Sequence, residues 1–125
     1  MDLSIEMDRI VNLFADHFVS SKNTTFLRHV AFLPFEKTKL IEINFLNSEI
    51  TPGDIETKIF LKTIEYYKEM IFFELSNAGL DTNKLQKFSI KLAYKPGDLT
   101  RYYTVSVLMQ YEGKDYTKSV LSSFS

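Results

Sequence analysis

The sequence predicts an α+β fold in which two helices, one of them long and central, pack on one face of a mostly antiparallel sheet of four to five strands. Three observations lead to this prediction. Two stretches carry apolar residues at helical spacing, and the C-terminal third alternates apolar and polar residues with a period of two. Between the alternating runs lie two turn sequences, Pro96-Gly97-Asp98 and Glu112-Gly113-Lys114. A helix with one apolar stripe must bury it, so both helices are expected on the same face of the sheet.

Length and composition indicate one folded domain spanning residues 1–125. The chain is 45% hydrophobic, with 11 Phe and 7 Tyr, and its formal net charge is −1. Such a balanced charge gives no electrostatic footprint for nucleic acid or for an anionic membrane. The absence of cysteine excludes disulfides, thiolate catalysis and cysteine-ligated metal sites.

We expect a soluble, cytoplasmic protein. The N-terminal MDLSIEMDR lacks the basic and then apolar layout of a signal peptide. No run approaches the ~20 consecutive apolar residues that a membrane-spanning helix requires.

The first helix is predicted at Leu3–Val19. Its apolar residues recur every three or four positions and form one stripe, at Leu3, Met7, Ile10, Phe14 and Phe18. This spacing favours an amphipathic helix packed on the core.

The next apolar segment, Phe26–Phe35, is compatible with a short helix or an edge strand, and Pro34 favours the strand. Leu40–Leu46 alternates apolar and polar residues, which predicts a half-buried strand. If both segments are strands, Glu36-Lys37-Thr38 joins them as a hairpin.

Residues Thr51–Gly79 predict one unbroken helix of about seven turns, around which the rest of the chain packs. Thr51 suits the N-cap, Pro52 the first helical position, and Gly79 the left-handed residue that ends a helix. One apolar line along this helix is expected to face the core: Phe60, Ile64, Tyr67, Ile71, Leu75 and Ala78.

Three consecutive strands are predicted after the long helix. Phe88–Tyr94 and Tyr103–Tyr111 alternate apolar and polar residues, and Tyr116–Leu121 returns as a last strand. Short turns connect the three, so they form an antiparallel meander. One face is apolar, and the other carries Ser, Thr, Lys and Gln. Gly113 stands where the second turn needs a positive φ.

No motif for catalysis, metal binding or cofactor binding stands out. His17 and His29 are the only histidines, and neither has an acidic or histidine partner at a metal-ligand spacing. We therefore expect no catalytic residue, no metal and no cofactor.

Two weaker candidates were weighed. Glu74 lies beside Tyr67 and Ile71 on the helix, where an apolar setting would suit a general acid, but its long stem also lets it reach water. A basic patch for RNA would combine Lys91, Lys95, Arg101 and Tyr102 on the open sheet face. Tyr94 and Tyr103 fall on the core register instead, so the stacking platform that RNA needs is missing.

The apolar arc of the long helix is wider than one sheet needs. A second stripe comprises Ile55, Ile59, Tyr66, Met70 and Phe73. Either the first helix packs alongside and covers this surplus, or another protein or a second copy docks on it. Since aromatic residues and Met are enriched at protein contacts, we predict a partner-binding surface at Tyr66, Met70 and Phe73.

Two function classes follow. The first is a non-enzymatic protein-binding domain, such as an inhibitor of the immunity type, an adaptor or a chaperone-like protein that covers its partner. The alternative is a small-molecule-binding protein or enzyme, possibly a dimer, with an aromatic-lined pocket between helix and sheet. The order of a long helix followed by an antiparallel meander resembles the hot-dog-type arrangement, in line with the alternative.

Overall fold

The computed structural model describes residues 2–20, 39–51, 61–94 and 102–123. They form two helices and five strands: α1 (Leu3–Ser20), β1 (Lys39–Asn44), β2 (Glu49–Thr51), α2 (Leu61–Asn77), β3 (Leu85–Tyr94), β4 (Tyr102–Tyr111) and β5 (Lys114–Ser123). All pairings are antiparallel, in the order β2-β1-β3-β4-β5, and the helices pack against one face. The predicted α+β class and C-terminal meander are confirmed. Neither of these helices is long and apolar enough to cross a membrane.

Helix α1 buries the predicted stripe. Met7, Ile10, Phe14 and Phe18 are all buried, and Leu3 packs against the same core from the first turn. The helix lies on β4 and β5, at the opposite end of the chain. Lys114 at the start of β5 donates a hydrogen bond from Nζ to the Ser4 hydroxyl, 3.3 Å away.

Helix α2 ends as predicted. Gly79 adopts a φ of 75°, the Leu80 amide donates to the Leu75 carbonyl at 2.9 Å, and the Gly79 amide donates to Ser76 at 3.0 Å. This pairing satisfies the last carbonyls of the helix through a left-handed residue. The core line is confirmed at Ile64, Tyr67, Ile71 and Leu75, which are buried.

The predicted start of the long helix needs a correction at Thr51. This residue is the last of β2 and pairs with Glu42 of β1, so it belongs to a strand. Ile50 beside it is buried, and covering this side chain against the core favours extended backbone here. Residues 52–60 of the predicted helix lie outside the described residues.

Strand β1 confirms the strand predicted at Leu40–Leu46. It begins one residue earlier, at Lys39, and ends two residues earlier, at Asn44. Its last three residues pair with β2 on one side and with β3 on the other. Strand β2 is not among the predicted strands. The predicted Phe26–Phe35 element and its hairpin connection to β1 lie outside the described residues.

Aromatic rings fill the space between the helices and the sheet. Phe88 of β3 contacts Phe45 and Phe14, with ring centroids 4.7 and 4.9 Å apart. Tyr67 of α2 contacts Phe45 at 5.5 Å and Phe18 at 5.0 Å. These contacts join both helices to β3 in one buried cluster.

The turn between β4 and β5 has the geometry that its sequence predicts. Glu112 and Gly113 have φ values of 51° and 79°, which match the right-handed twist of the flanking strands. The Gly113 amide donates to Gln86 Oε1 at 2.6 Å, and Glu112 Oε1 lies 2.9 Å from Lys84 Nζ. This hydrogen bond to the Glu112 carboxylate raises the pKa of Lys84.

Gly113→Ala is expected to lower the free energy of unfolding by about 1 kcal/mol. The space around the Gly113 Cα is open, so the cost comes from the positive φ alone. Gly113→Asn is the matched control and should cost less, because Asn tolerates this conformation better than Ala. Urea denaturation measures both, and equal stabilities for the two variants would contradict the argument.

A small polar residue is buried on the sheet face away from the helices. Glu42 of β1 lies directly opposite Lys91 of β3. Lys87 lies four residues from Lys91 along β3, a distance of about 13 Å. Even so, Lys87 Nζ lies 3.6 Å from Glu42 Oε1, and Lys91 Nζ lies 3.4 Å from Oε2. The extended Lys87 and Glu42 side chains therefore lie above the intervening pair, Asn44 and Ser89. Ser89 is fully buried, and among the described residues its Oγ and Asn44 Oδ1 have no hydrogen-bond partner.

Ser89→Ala is expected to raise the free energy of unfolding by about 0.5–1 kcal/mol, because it removes a buried hydroxyl without a partner. Ser106 on the same face is the control, since its hydroxyl bonds that of Ser119 at 2.8 Å. Ser106→Ala should lower the stability instead. Thermal or urea unfolding of the two variants gives the sign of each change, and destabilisation by both would refute the prediction.

Candidate docking surface on the two helices

The two helices lie side by side and antiparallel. Arg9 Nη1 of α1 lies 4.0 Å from Glu74 Oε2 of α2. Two turns further along α1, the His17 ring stacks on Tyr66 with centroids 6.4 Å apart and planes at 30°. Residue numbers rise along one helix while they fall along the other, so this register places Leu13 opposite Met70.

The predicted partner-binding residues lie along this border and on the adjoining face of α2. Tyr66 is 51% exposed and Phe73 is 61% exposed, whereas Met70 is half-buried and packs against the core. Helix α1 thus packs alongside α2, as the alternative prediction expected, but the rings of Tyr66 and Phe73 remain largely in solvent. The other members, Ile55 and Ile59, lie outside the described residues.

A shallow, open depression joins these residues. It has a volume of about 360 Å³ and is lined by Tyr66, Glu69, Met70 and Phe73. Glu69 is not among the residues predicted for this surface, although the structure places it in the lining. The sequence does contain a signal for Glu69. Tyr66, Glu69 and Phe73 are spaced i, i+3 and i+7, and residues at this spacing share one helix face.

The carboxylates near the depression differ in their partners. Arg9 contacts Glu74 and also pairs with Glu6 at 3.1 Å. Glu69 is exposed, and it has no ion pair within the described part of the chain. Glu74 occupies the predicted boundary position, with one-fifth of its side chain exposed beside the Arg9 guanidinium.

Of the two histidines weighed as metal ligands, the structure describes only His17. His17 is half-buried, and its ring lies against Tyr66 and edge-on to Tyr67 at 5.6 Å. His29 lies outside the described residues. Across residues 2–20, 39–51, 61–94 and 102–123, no three acidic or histidine side chains gather as a metal site would require.

The weighed RNA patch is only partly described. Lys91 is paired with Glu42 on the open face, so its charge has a partner within the sheet. Lys95 and Arg101 lie outside the described residues, as do the side chains of Tyr94, Tyr102 and Tyr103.

Comparisons with known proteins identify no relative of this chain. No protein-family model, curated protein or solved structure matches the chain. The resemblance to the hot-dog-type arrangement therefore stays an expectation from element order, and the function must be argued from the geometry above.

Proposed function

We propose that this chain is a non-enzymatic protein-binding domain that acts by covering a partner protein. The partner-binding surface comprises Tyr66, Met70 and Phe73 on α2, together with the adjoining border of α1. An inhibitor of the immunity type, an adaptor and a chaperone-like protein all work in this way. None of them requires chemistry at the surface, because affinity comes from shape, apolar contact and charge.

The observation that carries the proposal is the exposure of two large rings one above the other on one helix. Tyr66 and Phe73 are about half exposed, although α1 packs beside them and the core line of the same helix is buried. Tyr is among the residues that dominate binding energy at protein contacts, and aromatics and Met are enriched there. The depression between the rings offers a place for a partner side chain to insert.

The partner is another protein or a second copy of this chain, and neither nucleic acid nor a membrane is expected. A specific, stable contact buries about 800 Å² per partner, which exceeds the area of these three residues. The contact therefore extends onto neighbouring parts of α1 and α2. The proposal places the protein in the cytoplasm, with which the lack of cysteine agrees.

The alternative, a pocket between helix and sheet, ranks second because rings occupy that space. Phe14, Phe45, Tyr67 and Phe88 contact one another with centroid distances of 4.7–6.4 Å. The depression described above lies instead on the outer face of α2, where a protein surface can reach it.

Site-specific photo-crosslinking in the native host tests the proposal. A benzophenone amino acid is placed at Phe73 or, in matched controls, at Ile5 or Leu121. The controls are 66% and 68% exposed, and neither lines the depression, since Ile5 is on α1 and Leu121 is on β5. We expect a discrete adduct from position 73 and none from positions 5 and 121.

Two results would count against the proposal: no adduct from position 73, or the same adducts from all three positions. An adduct at twice the mass of the chain identifies the partner as a second copy. Light scattering of the purified protein then measures the corresponding solution mass.

A further inference from the structure

We propose that the depression between Tyr66 and Phe73 binds an arginine side chain of the partner protein, with Glu69 as its counter-ion. This inference rests on the proposed function and specifies the chemistry of the partner. It is argued from the spacing of the rings, the position of the carboxylate and the cost of covering that carboxylate.

The ring spacing suits a cation placed between them. Tyr66 and Phe73 are seven residues apart, which is about 10.5 Å along a helix at 1.5 Å per residue. A cation is attracted by an aromatic face within about 6 Å of the ring centroid, so a guanidinium that enters the depression between these two positions can reach a ring. Both rings are exposed toward solvent, so a side chain arriving from outside can reach this position.

Glu69 places a negative charge at the same level. It follows Tyr66 by three residues and precedes Phe73 by four, so it shares their helix face, and its side chain lines the depression. The described ion pairs nearby involve Arg9, which contacts Glu6 and Glu74, and leave Glu69 out. The depression therefore offers two ring surfaces and an unpaired carboxylate.

A cationic occupant is favoured over an apolar one by the cost of desolvation. Any protein that covers Tyr66 and Phe73 also removes water from Glu69, and an unpaired carboxylate out of water is strongly unfavourable. An apolar side chain leaves this cost uncompensated, and an acidic one adds repulsion. Arginine satisfies the carboxylate with paired N–H donors and stacks its planar guanidinium on a ring, which lysine does less well.

The test is an NMR titration of the full chain with two peptides, acetyl-Leu-Arg-Leu-amide and acetyl-Leu-citrulline-Leu-amide. Citrulline has nearly the shape of arginine but no charge. We expect the arginine peptide to shift the amide signals of Tyr66, Glu69 and Phe73, and to bind about fivefold more tightly than the citrulline peptide. Added salt should reduce this preference, because an exposed ion pair is screened.

Glu69→Gln should reduce the preference for arginine, because it removes the counter-ion and leaves the rings, and it should not change the fold. Glu65→Gln is the matched control, because Glu65 is an exposed glutamate one turn earlier that does not line the depression. It should leave the preference intact. Circular dichroism and thermal unfolding establish that both variants fold.

Equal binding of the two peptides to the unmodified chain would overturn the inference, as would a preference that Glu69→Gln leaves undiminished. These outcomes are separable from a failure of the proposed function. A discrete adduct from position 73 without arginine preference would retain the docking surface and refute its cation site. Arginine preference without any adduct would retain the site and refute the partner-covering role.

Discussion

Tyr67→Ala is expected to lower the free energy of unfolding by about 3–5 kcal/mol, the range for truncating a large buried aromatic residue. The Tyr67 side chain is 1% exposed, and its ring contacts those of Phe14, Phe18 and Phe45. Its removal leaves a cavity where both helices meet the sheet. The free energy of unfolding of native proteins is only about 5–15 kcal/mol, so this one substitution removes a large fraction of the stability.

The neighbouring tyrosine supplies the control. Tyr66 has the same chemistry and the same helix, but half of its surface is in solvent. Tyr66→Ala should cost about 1 kcal/mol or less. Urea denaturation of both variants measures the difference, and comparable losses would mean that α2 does not present Tyr67 to the core in the way described.

Phe73→Asp is expected to weaken the complex with the crosslinked partner by a factor of about 30 or more, as loss of an interface hot spot does. The substitution removes an exposed ring and adds a second negative charge next to Glu69. Stability should change little, since Phe73 is 61% exposed and lies outside the buried cluster. Calorimetry or surface-immobilised binding with the purified partner gives the change in Kd.

Ile5→Asp is the matched control for this binding measurement. Ile5 is a similarly exposed apolar residue, on the outer side of α1. A change in Kd of less than about twofold is expected there, as for a residue outside the contact. If both variants weaken the complex alike, the effect comes from net charge and not from the depression.

Most of the sheet and the core faces of both helices could be predicted from sequence, because burial imposes a periodicity on them. Met109 and Tyr111 alternate with polar residues over a long strand, and Gly79 and Gly113 have positive φ at the predicted positions. Strand β2 was missed because three residues are too few for a period of two to emerge. Thr51 suits a helix N-cap and the end of a strand equally well.

The geometry of the candidate docking surface could be predicted only in part, because it depends on how two helices meet. The stripe of Tyr66, Met70 and Phe73 is visible in the sequence, but the register that covers Met70 and exposes the rings is a tertiary property. Glu69 looked like an ordinary solvated glutamate. Ser89 belongs to the polar face by its alternation, and neither its burial nor the nearby contact between Lys87 and Glu42 follows from that pattern.

The packing of α1 on β4 and β5 has a consequence for synthesis of the protein on the ribosome. The helix emerges before the strands that bury its stripe, which begin about a hundred residues later, as the Ser4–Lys114 bond illustrates. Contacts between such distant segments slow folding, because a long loop must close before they form. Until the last strand has left the exit tunnel, α1 exposes its stripe of apolar side chains to the cell, and ribosome-associated chaperones should bind it during that interval.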